Sequence, residues 1–420
     1  MFKARFTGFA LLVAACAAPA GHAWANQPAF GPQTYDRTLD ALIAYEEIAL
    51  RGSWTSLPGS AVGLKTGSAG PLVASLKKRL TIGGDLDAAD AAGDVFDAPT
   101  SAALKRYQLR HGLSDTGIVG PLTLKSLNIT VSTRLNQLTA SLERLKGNGF
   151  QFASRYVVVN IPGASVEAVE NGEVVQRHVA VVGRHDRQSP VIQAKIQSVN
   201  LNPTWTVPMS ILKADIIPKM RADKTFLAKS HMRILGAGGQ EVDPATINWA
   251  TLTNPNFIVR QDPGPTNSLG QVRIDMPNTE AVYMHDTPKK ELFRSDVRFH
   301  SSGCARVQGV KDLATWLLEG TEWTREAIDS EIAKGERKDI KLKKHVPVAW
   351  VYLTAWQGND GVVQFRDDIY NLDTNQGIVT STIQTRKAPK AASARPAAPK
   401  MSMPKAITPA QPVTASFEPQ

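Results

Sequence analysis

The sequence contains only two cysteines, Cys16 and Cys304, among its 420 residues. If the first is removed during export, the remaining chain has one thiol and cannot form an internal disulfide. Aromatic residues make up only 7% of the chain. Beyond the N-terminus, no apolar run reaches the roughly 20 residues that span a bilayer. Acidic residues are also fewer than basic ones, 38 against 48, and the net charge is +10.

The N-terminus has the features of a secretory signal peptide. Two basic residues precede an apolar run, and Ala23-Trp24-Ala25 has the small residues at alternate positions that signal peptidase requires. We therefore predict a signal peptide over residues 1–25 and a periplasmic location. The segment ending at Cys16 also resembles a lipobox, so the alternative is a lipoprotein held on a membrane by lipidated Cys16. Export argues against nucleic acid as a partner and favours an anionic wall polymer or membrane surface.

Apolar residues recur at helical spacing through the first third of the chain. They predict a helix from Tyr35 to Arg51, then a small bundle of three helices in which Asp97 and Thr100 are candidate N-terminal caps. Leucines on one stripe predict a connecting helix from Arg134 to Lys146. The first third of the chain is therefore expected to be helical.

The pattern changes to β structure at about residue 153. Three runs rich in β-branched residues, separated by Pro-Gly and Asn-Gly turns, predict strands at Tyr156–Ile161, Ser165–Val169 and Val174–Val182. Between Pro208 and Arg260 the sequence is polar and partly helical, which suits a lid or insertion over a site. Late strands at Val346–Tyr352 and Val362–Phe365 are expected to close the fold.

The patterns together predict an α+β protein. The predicted segments are a signal peptide at 1–25, a helical scaffold segment at 26–58, a three-helix domain at 59–130, a connecting helix at 131–152, a β-rich domain at 153–330 with a lid at 206–260, closing strands at 331–374, and a disordered, basic Ala/Pro-rich tail at 375–420.

One segment combines residue types suited to acyl transfer. Cys304 lies in Ser302-Gly303-Cys304-Ala305-Arg306, and His285 precedes it by 19 positions. A thiol becomes a strong nucleophile as a thiolate, and a histidine within hydrogen-bond reach can take its proton. Gly303 allows a close backbone approach, so that peptide N–H groups can stabilise an oxyanion. A buried core cysteine and an unrelated histidine are the competing interpretation of these residue types.

The same segment resembles the YkuD-type catalytic domain of L,D-transpeptidases, whose motif is a histidine followed at a distance by Ser-x-Gly-Cys-x-Arg. Further blocks similar to the large periplasmic branch of that family are Asn202–Pro208, Arg260–Pro265, Met276–Asn278 and Leu353–Trp356. Many members have a second histidine directly before the Gly-Cys pair, where this chain has Ser302. His285 would then be the only imidazole of the motif, and His300 is the rival base.

A second resemblance covers residues 71–128. A Leu-rich helix, a Phe-Asp-x-x-Thr helix start and a closing Gly-Leu, Asp-x-Gly, Val-Gly and Thr-Leu sequence are similar to the peptidoglycan-binding domain of cell-wall enzymes. The resemblance implies wall binding. The alternative is a structural module that has lost its ligand, because the matching residues are mainly those that build the fold.

The transpeptidase resemblance implies that Cys304 is the nucleophile and His285 the base. Gly303, Ser302 and Arg306 would shape the site, with a carboxylate partner expected for Arg306. Candidate substrate-binding residues are Tyr283, Trp205 and Asn267, although aromatic residues beside strands are more often core.

The implied reaction needs no metal or cofactor. A donor stem peptide of peptidoglycan would form a thioester on Cys304, and the amine of an acceptor stem would resolve it to a 3→3 crosslink. The alternatives are an L,D-carboxypeptidase, a transferase that anchors proteins to peptidoglycan, and an inert wall-binding scaffold. The resemblance also implies acylation by carbapenems.

Overall fold

The structure is a computed structural model that describes residues 27–373. The predicted signal peptide, the proposed lipidation of Cys16 and the predicted basic tail lie outside the described residues. Within 27–373, no helix combines the length and apolar character needed to cross a membrane.

The helices follow the predicted order. They are α1 Thr34–Leu50, α2 Pro71–Ile82, α3 Ala98–Arg110, α4 Pro121–Leu127, α5 Val131–Leu145, α6 Met209–Ile211, α7 Ile217–Ala222, α8 Phe226–Lys229, α9 Val310–Leu317 and α10 Arg325–Ala333. A π-helical turn, Leu212–Ile216, joins α6 to α7.

The three-helix domain is confirmed as α2, α3 and α4. Each of these helices has a proline in its first turn, where the missing N–H costs nothing. The Asp97 carboxylate accepts from the Thr100 N–H at 2.9 Å, so Asp97 caps α3 and Thr100 lies within its first turn. Val73, Leu104 and Tyr107 are fully buried in the core between the helices.

The strands form a β-rich core, as predicted. They are β1 Arg155–Asn160, β2 Ser165–Glu170, β3 Glu173–Gly183, β4 Ile192–Leu201, β5 Trp205–Thr206, β6 Met232–Leu235, β7 Glu241–Val242, β8 Ile258–Gln261, β9 Val272–Asp275, β10 Met284–His285, β11 Phe299–Ser301, β12 Ala305–Val307, β13 Lys338–Val351, β14 Ala355–Gln357 and β15 Val363–Phe365. The first three coincide closely with the β-branched runs of the sequence.

The largest sheet has the strand order β11-β3-β12-β10-β9-β4-β13-β1-β2. Alternate residues of β1 serve different cores, because successive side chains of a strand point to opposite faces. Val157 and Val159 pack in the cluster that includes α9 and α10, whereas Tyr156 and Val158 pack with the N-terminal residue Phe30. Both faces of the sheet are therefore covered in this region.

The late strands form, and β13 lies in the interior of the large sheet. It lies inside the sheet, antiparallel to β4 and parallel to β1, with Val348 opposite Val157. A boundary at 330/331 would thus separate β13 from the sheet that it joins. The other late strand, β15, pairs with β14 in a separate two-stranded sheet.

The predicted lid region has its own small core. Its four-stranded sheet has the order β5-β8-β6-β7, and it packs with the α6–α7 segment and α8. Leu212, Met220 and Val259 are buried there. The short strands of this sheet, two to four residues long, explain why the sequence showed only a polar, partly helical stretch.

Candidate active site

Cys304 lies in a tight turn between β11 and β12. Gly303 has a φ of 114°, a conformation that favours glycine. The Ser301 hydroxyl donates to the Cys304 carbonyl oxygen at 2.5 Å and accepts from the Gly303 N–H at 3.2 Å. Because the Gly303 N–H is occupied, the Cys304 N–H, which has no acceptor among residues 27–373, is the amide open to an incoming oxyanion.

His285 lies on β10, the strand next to the one that follows Cys304. β10 pairs in parallel with β12, so that Met284 is opposite Ala305 and His285 opposite Arg306. The imidazole is buried, and its Nδ1 lies 2.5 Å from the Asp286 carbonyl oxygen. A carbonyl oxygen can only accept, so Nδ1 carries the proton and Nε2 is left as a proton acceptor.

The environment keeps both groups neutral at rest. Burial, and next the charge of Arg306, lower the pKa of His285 to about 3. Burial raises the pKa of the Cys304 thiol to about 11, against hydrogen bonding from the Tyr283 backbone and the positive charge of Arg273. The resting pair is thus a thiol and an imidazole, so a nucleophilic role for Cys304 would require deprotonation of the thiol to accompany its attack.

Two arginines flank His285 on the neighbouring strands. The β-sheet register places Arg273 of β9 and Arg306 of β12 opposite His285. Among residues 27–373, Arg306 has no hydrogen-bond or ion-pair partner, and its Nε is buried without one. Within residues 27–373, the prediction that Arg306 has a carboxylate partner is therefore wrong.

Comparison with known proteins assigns this region. Residues 154–327 match the family described as the L,D-transpeptidase catalytic domain. The chain contains an L,D-transpeptidase catalytic domain. Residues 69–127 match the family described as "Putative peptidoglycan binding domain".

One curated protein and several solved structures resemble parts of the chain. A Haemophilus influenzae protein named "Putative L,D-transpeptidase" is 34% identical over 218 residues, which are 52% of this chain and 44% of that protein. The chain thus spans less than half the length of this curated relative. Among solved structures, the L,D-transpeptidase of Xylanimonas cellulosilytica is 16% identical, with 70% of this chain and 100% of that chain covered and a TM-score of 0.23. That of Stackebrandtia nassauensis is 14% identical, with 69% and 94% covered and a TM-score of 0.26.

Tyr283 and Trp205 lie near Cys304 and His285. The Tyr283 ring centre is 5.7 Å from that of His285. Burial raises the pKa of the Tyr283 hydroxyl, and the side chain of Trp205 acts in the opposite direction. Trp205 also packs against the core of the predicted lid. Both residues remain candidates for substrate contact.

Asn267 and His300 are placed differently. Asn267 is fully buried, donates to the carbonyls of Pro203 and Asp262 and accepts from the Leu269 N–H. Its amide braces the backbone and offers nothing to a substrate in this arrangement. His300 is exposed, with Nε2 3.0 Å from the Val297 carbonyl oxygen.

The sequence analysis missed the side chains that fix the turn between β11 and β12, which contains Cys304. Ser189 is buried, donates to the Gly303 carbonyl oxygen at 2.7 Å and accepts from the Gly183 N–H at 2.9 Å. The Tyr370 hydroxyl accepts from the Ser189 N–H and donates to the Gly183 carbonyl oxygen. The turn is therefore braced from β3 and from the end of the described chain.

Arg187 connects the predicted lid to the turn that contains Cys304. Its guanidinium binds both carboxylate oxygens of Asp215, at 2.5 and 3.0 Å, and donates to the Ser302 hydroxyl at 3.0 Å. Asp215 lies in the π-helical turn of the lid. Ser302 takes part in this contact, and its role in shaping the site stays a prediction. In the described part of the chain, no group of three or more His, Cys, Asp or Glu side chains is arranged to hold a metal ion.

Proposed function

We propose that the protein is a peptidoglycan L,D-transpeptidase that forms 3→3 crosslinks through a thioester on Cys304. The observation that carries this proposal is the pairing of β10 with β12. It sets a neutral imidazole, whose Nε2 can accept a proton, on the strand beside the thiol. Such a pair is what nucleophilic acyl transfer requires.

Acylation would proceed by general base catalysis. The Cys304 sulfur attacks the carbonyl carbon of the third residue of a donor stem, and its proton passes to His285 Nε2. The oxyanion accepts a hydrogen bond from the Cys304 N–H. The intermediate then collapses, the bond to the leaving D-Ala nitrogen breaks, and His285 gives its proton to that nitrogen. A thioester remains.

Deacylation would reverse these roles. The side-chain amine of an acceptor stem attacks the thioester carbonyl and loses a proton to His285. The carbon–sulfur bond breaks, and the sulfur takes the proton back from the imidazolium. Water in place of the amine would give an L,D-carboxypeptidase, and a protein amine would give protein anchoring. These are the competing outcomes of the same thioester.

The helical domain is proposed to bind peptidoglycan close to this site. A groove of about 550 Å³ separates it from the segment that leads into β11, and both sides line that groove. Lys125 contributes from the helical side, where it pairs with Asp367, and Arg298, Arg366 and Asp296 contribute from the other. The lining thus carries three lysine or arginine side chains and two acidic ones, and this small excess of positive charge suits an anionic wall polymer. Because the substrate is a wall polymer, we also propose export by the N-terminal signal and action in the periplasm.

The direct test is mass spectrometry of muropeptides after incubation with purified tetrapeptide donors. The wild type should produce 3→3 dimers, and Cys304→Ala should produce none while keeping its circular dichroism spectrum. His285→Ala should slow thioester formation severely, and the matched variant His300→Ala should not. Dimer formation by Cys304→Ala would refute the mechanism, and tripeptide without dimer would assign the carboxypeptidase activity.

A further inference from the structure

We propose that Arg306 and Arg273 form a binding site for a carboxylate of the donor stem peptide. The identity of the ligand rests on the function proposed above, but the binding site itself is inferred from the two side chains and their surroundings.

The sheet register brings the two arginines to one face beside the reacting groups. Arg273, His285 and Arg306 are opposite one another on β9, β10 and β12. Residues opposite each other in a sheet point to the same face. The Arg273 guanidinium lies 4.4 Å from the centre of the Tyr283 ring, which fixes it next to the His285 imidazole.

The charges of this row are not balanced by the protein. Arg306 is half-buried and has no hydrogen-bond or ion-pair partner within residues 27–373. Arg273 pairs with Asp275 on its own strand, yet its Nε is also buried without a partner. Burial lowers the pKa of Arg306, and nearby negative charge, including that of Glu291, acts in the opposite direction. Within residues 27–373, Glu291 forms no ion pair with Arg306, so only Arg273 of the two cations has an ion-pair partner.

An unpaired, partly buried guanidinium is costly, since buried charges are normally paired. The neighbouring thiol does not supply the missing anion, because burial raises the pKa of Cys304 to about 11. A ligand carboxylate would satisfy both arginines, and the planar fork of a guanidinium matches a carboxylate in two hydrogen bonds.

The donor stem has a free carboxylate on its second residue, but the two carboxylates nearest the scissile bond are the ones proposed to reach this row when its third residue lies over Cys304. One is the terminal carboxylate of the leaving residue, and the other is the free carboxylate on the side chain of the third residue. Both present the same chemistry to the arginines. Amidation of each in turn separates them, because an amide keeps the shape of the group but removes its charge.

A binding experiment in the Cys304→Ser protein tests the proposal without turnover. Isothermal titration calorimetry would compare a tetrapeptide donor with its two singly amidated forms. At least one amidation should weaken binding about ten- to hundredfold, the usual effect of losing a charge-assisted hydrogen bond. With Arg306→Gln or Arg273→Gln added, the unmodified donor should lose a similar factor, and the sensitive amidation should have little further effect.

Two controls keep the result interpretable. Arg306→Lys retains the charge but lacks the planar fork, so its donor affinity should lie between those of the arginine and glutamine proteins. This variant also keeps the proposal testable if the Gln variant fails to fold. Arg155→Gln removes an arginine from β1, on the other side of the sheet order, and should leave donor binding unchanged.

Several outcomes would overturn the proposal. Equal affinity for all three donors would do so, as would amidation effects that persist undiminished in both Gln variants. A rival role for the two arginines is stabilisation of the Cys304 thiolate alone. In that case Arg273→Gln, made in the protein that retains Cys304, would shift the pH dependence of thiol alkylation. The effect of amidation on donor binding would remain intact. Absence of crosslinked product with selective binding preserved would instead refute the transpeptidase proposal and leave the carboxylate site standing.

Discussion

Replacement of Ser189 by alanine should destabilise the protein and slow acylation of Cys304, although Ser189 belongs to no catalytic motif. The side chain is 4% exposed, and its hydroxyl is shared by the Gly303 carbonyl and the Gly183 N–H. Alanine would leave both buried backbone groups without this partner. Each such loss costs about 1–3 kcal/mol, so the free energy of unfolding should fall by about 2–6 kcal/mol.

Urea denaturation followed by tryptophan fluorescence measures the stability, and intact-protein mass spectrometry measures the rate of acylation. Ser302→Ala is the matched control, because it removes an exposed hydroxyl whose contact is with Arg187. The control should lie within about 0.5 kcal/mol of the wild type. If Ser189→Ala is as stable as this control and is acylated at the wild-type rate, the Ser189 hydroxyl does not support the turn that contains Cys304.

The remaining predictions concern acid stability, inhibition and wall binding. Burial lowers the pKa of His111, His178 and His285, for His285 to about 3, so the unfolded state binds more protons than the folded state below the ordinary histidine pKa of 6.5. The contribution of these neutral histidines to the free energy of unfolding is fully present above pH 6.5 and is lost as the pH falls. The urea midpoint should therefore drop between pH 7 and pH 4, and His111→Gln should weaken that pH dependence. A urea midpoint that does not change with pH would contradict this prediction. A carbapenem should add once per chain to the wild type, slowly to His285→Ala and not to Cys304→Ala, as seen by intact-protein mass spectrometry. A fragment of residues 52–130 should sediment with purified sacculi, and its failure to do so would leave the helical domain as a structural support.

Local features of the fold were predictable because they depend on neighbouring residues. The N-terminal prolines and the Asp97 cap mark helix starts within a few positions, and the β-branched runs mark β1 to β3. The position of β13 was not predictable in this way. Its pairing with β4 and β1 depends on strands far apart in the chain, and no local pattern encodes that register.

The candidate site shows the same division. Cys304 and His285 could be singled out because thiols are few and the surrounding motif is specific. Ser189 and Tyr370 carry no such signal, because serine and tyrosine are common and their contacts span 114 and 181 positions, respectively. Arg273 was also missed, since only the alignment of β9 with β10 reveals that it faces His285.

The neutral resting pair has a consequence for how the thiol is protected and used. Oxidation and alkylation of cysteine run through the thiolate, so the burial that raises the pKa of Cys304 to about 11 slows both. The same burial lowers the pKa of His285, so the imidazole stays an unprotonated base over the whole physiological range. A small electrophile in solution therefore meets an unreactive thiol. Under the proposed mechanism, a bound acyl donor instead offers a carbonyl whose developing oxyanion is stabilised by the turn while His285 takes the proton, so reactivity would arise only with the substrate in place.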